Sequence, residues 1–327
     1  MFSAIYIEEE IREWDRVKSI LKRFPQISKI SCERYGEVFN RNSQNFRLQK
    51  KSPALILAKK YGNFVLPSPK GYGFEEGESY YFSHMLNCLY DCRYCFLQGM
   101  FRSANYVLFV NYEEFASQIE EKIDNQKAPS VYYSGYDCDS LAMEPVSRFA
   151  EFFIPIFERK PEAILEIRTK SVQIRCLTER PAIPNCIVAM SFTSHKSARQ
   201  FEHKVASIRK RIQALQKLQQ SGWRIALRFE PIIYEKSFLE DYSDLFDEIF
   251  NSLDVGRIHS VSLGEFRMPK QFHKDIAKLY PEEELFAREI VIKDGIMSLE
   301  DSDSSVIEQL ESLLLKYIQP QQYYRCA

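Results

Sequence analysis

From residue 79 onward the chain alternates short runs rich in β-branched and aromatic residues with longer amphipathic stretches, and few folds accept that pattern. The runs cover residues 79–85, 130–137, 163–169, 187–193, 225–233 and 258–266. Each gap between them is long enough for a crossover helix, which implies parallel rather than hairpin pairing. The clearest helix is expected over 197–221, where Val205, Ile208, Ile212, Leu215 and Leu218 recur at helical spacing and Gly222 follows as a stop. Further helices are expected over 113–123, 145–157 and 243–253. The fold class that follows is α/β, a partial (β/α)6 barrel of the TIM type with its helices outside. In such barrels the chemistry sits at the C-terminal ends of the strands.

The ends of the chain are read as additions to that barrel. Residues 1–75 form an N-terminal extension, with a turn-rich junction at Pro67, Pro69, Gly71 and Gly73. Residues 76–281 form the barrel. Residues 282–327 form a hairpin around Asp294-Gly295, a favoured two-residue turn, and a helix over 305–318. The first residues lack a charged stretch followed by an apolar one, and no apolar run approaches the length of a membrane span, so a soluble, cytoplasmic protein is expected. The net charge of −1 hides an uneven distribution. Basic residues dominate from Arg12 to Lys60, among them Arg41, Arg47, Lys50, Lys51, Lys59 and Lys60, whereas acidic residues dominate from Glu282 to Glu311. A basic segment of that kind could approach phosphates or form a solvated surface, and charge alone does not decide for nucleic acid.

Eight cysteines could suggest a disulfide framework, but three of them fall within eight positions, Cys88, Cys92 and Cys95, just after the first strand. In a reducing compartment such a cluster points to metal binding or catalysis. Three thiolates on one loop can hold three irons of a 4Fe–4S cubane and leave the fourth open to a bidentate amino-and-carboxylate ligand. A structural zinc ion would need a fourth protein ligand, for which His84 and Cys138 are the candidates. Cys138 follows the second strand and Lys170 the third, where an ammonium could pair with a ligand carboxylate. Cys32, Cys176, Cys186 and Cys326 are scattered and read as ordinary thiols.

The spacing C-x3-C-x2-C with aromatic Tyr94 before the third cysteine resembles the radical S-adenosylmethionine superfamily. The wider context resembles the spore photoproduct lyase family. That likeness rests on Cys92-Arg-Tyr-Cys-Phe-Leu-Gln98, Tyr106-Val-Leu-Phe-Val-Asn111, Arg168-Thr-Lys170, Ala189-Met-Ser191, the stretch from Glu202 to Gly222, and Phe266-Arg-Met-Pro269. The resemblance implies a cluster that reductively cleaves S-adenosylmethionine to a 5′-deoxyadenosyl radical, which takes hydrogen from a thymine-dimer lesion in DNA. It places Lys170 and Ser191 on the cofactor, Tyr94 near adenine or cluster, and Asp139 and Ser140 as further cofactor contacts. It implies an electron donor such as flavodoxin or ferredoxin, and contacts from Arg267 and Lys293 to an extruded lesion's phosphates. The family's thiol hydrogen donor aligns with Tyr136, with Cys138 two residues on and on the same strand face. Two tyrosines relay the radical in the family; here the first is Tyr94, but Phe96 stands at the second position and has no phenolic hydrogen. The same family acting on another nucleic acid, a peptide or a small molecule is the alternative.

Overall fold

The computed structural model describes residues 2–69, 72–73, 78–126, 128–234, 237–299 and 305–326. The six expected strands form as Glu78–Phe82, Ser130–Ser134, Ala163–Thr169, Cys186–Phe192, Arg224–Ile232 and Ile258–Glu265. They pair in sequence order and all in parallel. Leu66–Pro67 adds an antiparallel edge beside the first, and Tyr323–Arg325 adds a parallel edge beside the sixth, so eight strands make an open sheet. Every residue of Cys186–Phe192 is buried, as expected of a central strand covered on both faces. The outer cover comes from helices such as Tyr112–Asp124, whose Tyr112, Phe115, Ile119 and Ile123 face inward at helical spacing.

Two expected helices are interrupted, each for a reason visible in its side chains. The stretch 197–221 is a helix His195–Phe201, a two-residue bridge Glu202–His203, and a second helix Ile208–Gln220 capped by Ser207. The break turns the Glu202 carboxylate inward to four hydrogen-bond donors, and Lys204 takes a left-handed φ of 64° to make the turn. The stretch 145–157 breaks at Arg148, whose φ is 50°, before the helix Phe149–Glu158 begins. Glu144 folds back to accept from the backbone N–H of Ala150 and Glu151 at 3.0 and 3.3 Å, satisfying donors that a helix start leaves open. The last helix ends at Leu314, one turn earlier than its periodicity suggested.

A second sheet was not legible in the sequence. Its five strands run in the order Lys29–Cys32, Ile5–Glu8, Leu55–Ala58, Tyr106–Phe109, Met85–Leu86. Leu55–Ala58 is wholly buried and pairs in parallel with Tyr106–Phe109. The N-terminal extension is therefore an α/β layer that recruits chain from beyond residue 75. Part of the basic segment folds inward as well: Lys50 is only 6% exposed, and Arg47 pairs with Glu282 of the acidic tail at 2.6 Å. The hairpin Ile290–Lys293 with Ile296–Leu299 forms as expected, with Asp294 and Gly295 both at positive φ. Arg267–Pro269 joins it as a third, antiparallel strand.

Candidate active site

The C-terminal ends of the barrel strands, the cysteine loop and the three-stranded sheet enclose a cavity of about 580 Å³. Cys88, Cys92, Tyr94, Cys95, Cys138, Asp139, Lys170, Ser191 and Arg267 all line it. Lys293 is exposed by the hairpin turn and does not line it. Ser140 also stays out: its hydroxyl lies 2.8 Å from that of Ser134, behind the turn at Gly135, so it braces the second strand instead of facing a ligand.

The loop carrying the thiols is pinned at several points. Asn87 adopts a left-handed φ of 68°, which asparagine tolerates, and its amide donates to the carbonyls of Ser103 and Asn105 at 2.7 Å each. Asp91–Cys92 pairs antiparallel with Glu202–His203, and the Arg93 N–H donates to the Phe201 carbonyl at 2.9 Å. Arg93 itself bridges Asp91 at 2.6 Å and Glu283 at 2.8 Å. Burial pushes the Cys88 thiol up to about 12 and raises those of Cys92 and Cys95 too, so proton-free sulfurs here call for a bound cation. Among the described residues no three His, Cys, Asp or Glu side chains converge closely enough for a single metal ion. His84, a candidate fourth zinc ligand, is buried with its ring stacked on Phe149 at 4.1 Å. Three soft thiolates, set apart on one loop with open volume before them, suit the corners of an iron–sulfur cube.

Beside the thiols lies a buried carboxylate that the sequence reading passed over. Glu202 accepts from Lys170 Nζ at 3.0 Å, from Thr193 Oγ1 at 3.1 Å, from Arg211 at 2.6 Å and from the Tyr94 hydroxyl. Burial opposes its charge, yet the Lys170 and Arg211 cations hold its carboxyl down at about 2. Lys170 is thus poised at the cavity by a counter-charge, with donors to spare for a ligand carboxylate, since an ammonium has three. Asp139 spends its oxygens on the fold. It accepts from Lys170 N at 2.6 Å, Thr169 Oγ1 at 2.7 Å, Ala142 N at 2.8 Å and Leu141 N at 3.0 Å, which fixes the rim from which Lys170 projects. Arg211 also donates to the Ser191 carbonyl at 2.7 Å, which leaves the Ser191 side chain on the cavity wall.

The inner face of the barrel carries a second network. Glu166 accepts from Arg228 at 2.7 Å and from Arg168 at 2.9 Å, and Arg168 reaches Glu230 at 3.2 Å while lying over the Tyr72 ring at 4.5 Å. Arg168, Glu230 and Tyr72 line the cavity, as does Cys326 near the end of the chain. A signal for this network exists in the sequence: Glu166 with Arg168, and Arg228 with Glu230, are charges two apart in otherwise apolar strands, hence on one face. Cys138 is buried at the seam between the cavity and the core of the N-terminal sheet. Tyr136 packs its ring against Tyr81 at 4.4 Å, Tyr72 at 5.5 Å and Phe96 at 5.6 Å.

Comparison with known proteins identifies the family and the fold. The family model for spore photoproduct lyase matches residues 72–293. The spore photoproduct lyase of Bacillus subtilis is 24% identical over 203 residues, which is 61% of this chain and 59% of that protein. The one from a Geobacillus species is 22% identical over the same shares. Both matches thus span less than two thirds of the curated relatives. The fold is shared more widely. A solved spore photoproduct lyase complexed with dinucleoside spore photoproduct superposes with a TM-score of 0.84 at 16% identity, covering 99% of both chains. A mutant with bound AdoMet and the same dinucleoside gives 0.83 at 17% identity, covering 100% of this chain and 98% of that one. With its family model matched over more than half its length on that shared fold, this chain belongs to the spore photoproduct lyase family.

Proposed function

We propose that this protein is a radical S-adenosylmethionine lyase that acts on a thymine-dimer photolesion in DNA. The observation that supports it best is the gathering of Cys88, Cys92, Cys95, Lys170 and Ser191 on one cavity, in the family's fold. When bound, a 4Fe–4S cluster with S-adenosylmethionine supplies the electron and the adenosyl carbon that hydrogen abstraction requires. Cys88, Cys92 and Cys95 hold the cluster. Lys170, steadied by Glu202, pairs with the methionyl carboxylate, and Ser191 offers a hydroxyl beside it. Tyr94, whose hydroxyl donates to the same Glu202, lines the cavity beside the thiols and would lie near the adenine or the cluster. The Cys138 thiol, which lines the cavity, returns a hydrogen atom to the product radical in this reading. Arg267 at the mouth, and Lys293 on the hairpin beyond it, meet the phosphates of the nucleic acid. Flavodoxin or ferredoxin supplies the electron, and the reducing cytoplasm suits eight cysteines that form no disulfide in the described residues.

The test is anaerobic reconstitution with iron and sulfide, followed by turnover on a lesion-bearing dinucleotide labelled at the abstracted hydrogen. Label is expected in 5′-deoxyadenosine. Cofactor cleavage without label transfer would refute the lesion as substrate while leaving the radical chemistry in place. A second reading, the same chemistry on a different substrate, is favoured by one observation. Phe96 stands beside the third cysteine with its ring on Tyr136, where a redox-active phenol would be required for the family's relay.

A further inference from the structure

Among the described residues of the N-terminal layer, one charged side chain reaches the site. Lys50 belongs to the short helix Phe46–Lys51, and its amine donates to the backbone carbonyls of Cys88 at 3.0 Å and Tyr90 at 3.1 Å. It lines the same cavity as the three thiols and is only 6% exposed. The helix that carries it is fixed from several sides. Asn45 caps its start by accepting from Leu48 N at 3.0 Å, Gln49 accepts from Ala104 N at 3.0 Å, and Lys204 donates to the Lys50 carbonyl at 3.0 Å. The amine is therefore placed, not swinging.

Its charge differs from that of Lys170 in an informative way. Lys170 is balanced by Glu202 at 3.0 Å. Among the described residues no carboxylate lies within ion-pair distance of the Lys50 amine; its hydrogen-bond partners are two neutral carbonyls, and Asp91, which acts on it at longer range, is already paired to Arg93. A buried ammonium without a counter-ion, in a medium of low dielectric, costs stability unless something nearby carries negative charge. An iron–sulfur cube on three thiolates is such a group, and it gains a further negative charge on reduction. Local charge and solvent exposure are among the levers that set a cluster's potential.

We infer that Lys50 is a positioning residue with an electrostatic role: it holds the Cys88–Tyr90 turn and makes the bound cluster easier to reduce. The inference rests on the proposed function for the presence of a cluster, and otherwise on Lys50's own geometry. The test uses full-length wild type, Lys50→Met, Lys50→Gln and Lys50→Arg, each reconstituted anaerobically. Iron content is measured, and the midpoint potential is read by EPR-monitored redox titration. Loss of the charge is expected to lower the one-electron reduction equilibrium about tenfold, a shift of ~59 mV to more negative potential, in the Met and Gln variants. Arg should keep close to the wild-type potential. Iron loading by wild type and Arg but not by Met or Gln would equally support the inference. Wild-type potential in the Met and Gln variants would overturn it, as would loss of the cluster in Arg as well. A wild type that takes up no cluster defeats the proposed function itself, which separates the two failures.

Discussion

Replacing Glu202 by Gln tests whether one carboxylate holds the wall of the site together. The side chain is almost wholly buried and accepts from Lys170, Thr193, Arg211 and Tyr94, so an amide in its place leaves the buried Arg211 and the partly buried Lys170 without their counter-charge. Burial would raise the carboxyl above its ordinary value of 4.5, but the two cations bring it down to about 2. Converted at about 1.36 kcal/mol per pH unit, that displacement corresponds to ~3 kcal/mol. Removing one partner of a buried ion pair costs roughly 3–5 kcal/mol, so the two routes agree in size. Because the folded value is depressed, the contribution is fully present above about 4.5 and is lost as pH falls from there through about 2. Urea unfolding of wild type and Glu202→Gln, followed by circular dichroism, should differ by ~3 kcal/mol near neutral pH. The difference should shrink as the pH is lowered towards about 3. Adding Arg211→Met should cost less than the sum of the two single changes, because it removes one of the stranded cations. A neutral-pH difference below about 1 kcal/mol, or one that does not change with pH, would refute the reasoning.

Ala in place of Cys88, Cys92 or Cys95 should abolish both the brown absorbance of the reconstituted protein and the cleavage of S-adenosylmethionine; retained cleavage in any of the three argues against the assignment. Cys138→Ala should leave cofactor cleavage largely intact while shifting the distribution of products, measured by chromatography of turnover mixtures. Gly135→Ala should destabilise the protein by about 1–3 kcal/mol in a thermal melt, since φ there is +83° and a Cβ would lie 2.5 Å from the Ser140 hydroxyl. Unchanged melting of that variant would mean that the turn relaxes freely.

Much of the barrel was legible because its strands announce themselves locally: six short β-rich runs, each followed by chain long enough for a return helix, admit few other arrangements. The cysteine triad was legible for the same reason, being contiguous. What stayed hidden depended on partners far away in the chain. Leu55–Ala58 is four apolar residues among lysines, and its pairing with Ile5–Glu8 on one side and Tyr106–Phe109 on the other makes it a strand. The stretch around Glu202 reads as one continuous helix because Val205 and Ile208 keep the period across the break. The break becomes necessary only when Lys170, Tyr94 and Arg211 arrive from elsewhere. Asp139 and Ser140 were expected at the ligand from the family resemblance. Yet Asp139 is saturated by four donors of the fold, and Ser140 turns back to Ser134. Lys50 read as one more surface charge in a basic run, and its burial follows from the short helix that aims it at Cys88.

The path of Tyr106–Phe109 bears on how this protein could be divided. Although that segment follows the first barrel strand, it lies in the N-terminal sheet with all four residues buried. A fragment started at residue 76 would keep the segment and discard its neighbour Leu55–Ala58. It would bare a hydrophobic sheet edge, the kind of surface that recruits other chains into aggregates. The same fragment would lose the amine that braces the turn at Cys88. Chimeras between family members, or truncations made to isolate the iron-binding half, should therefore carry the first 110 residues as one inseparable piece with the barrel.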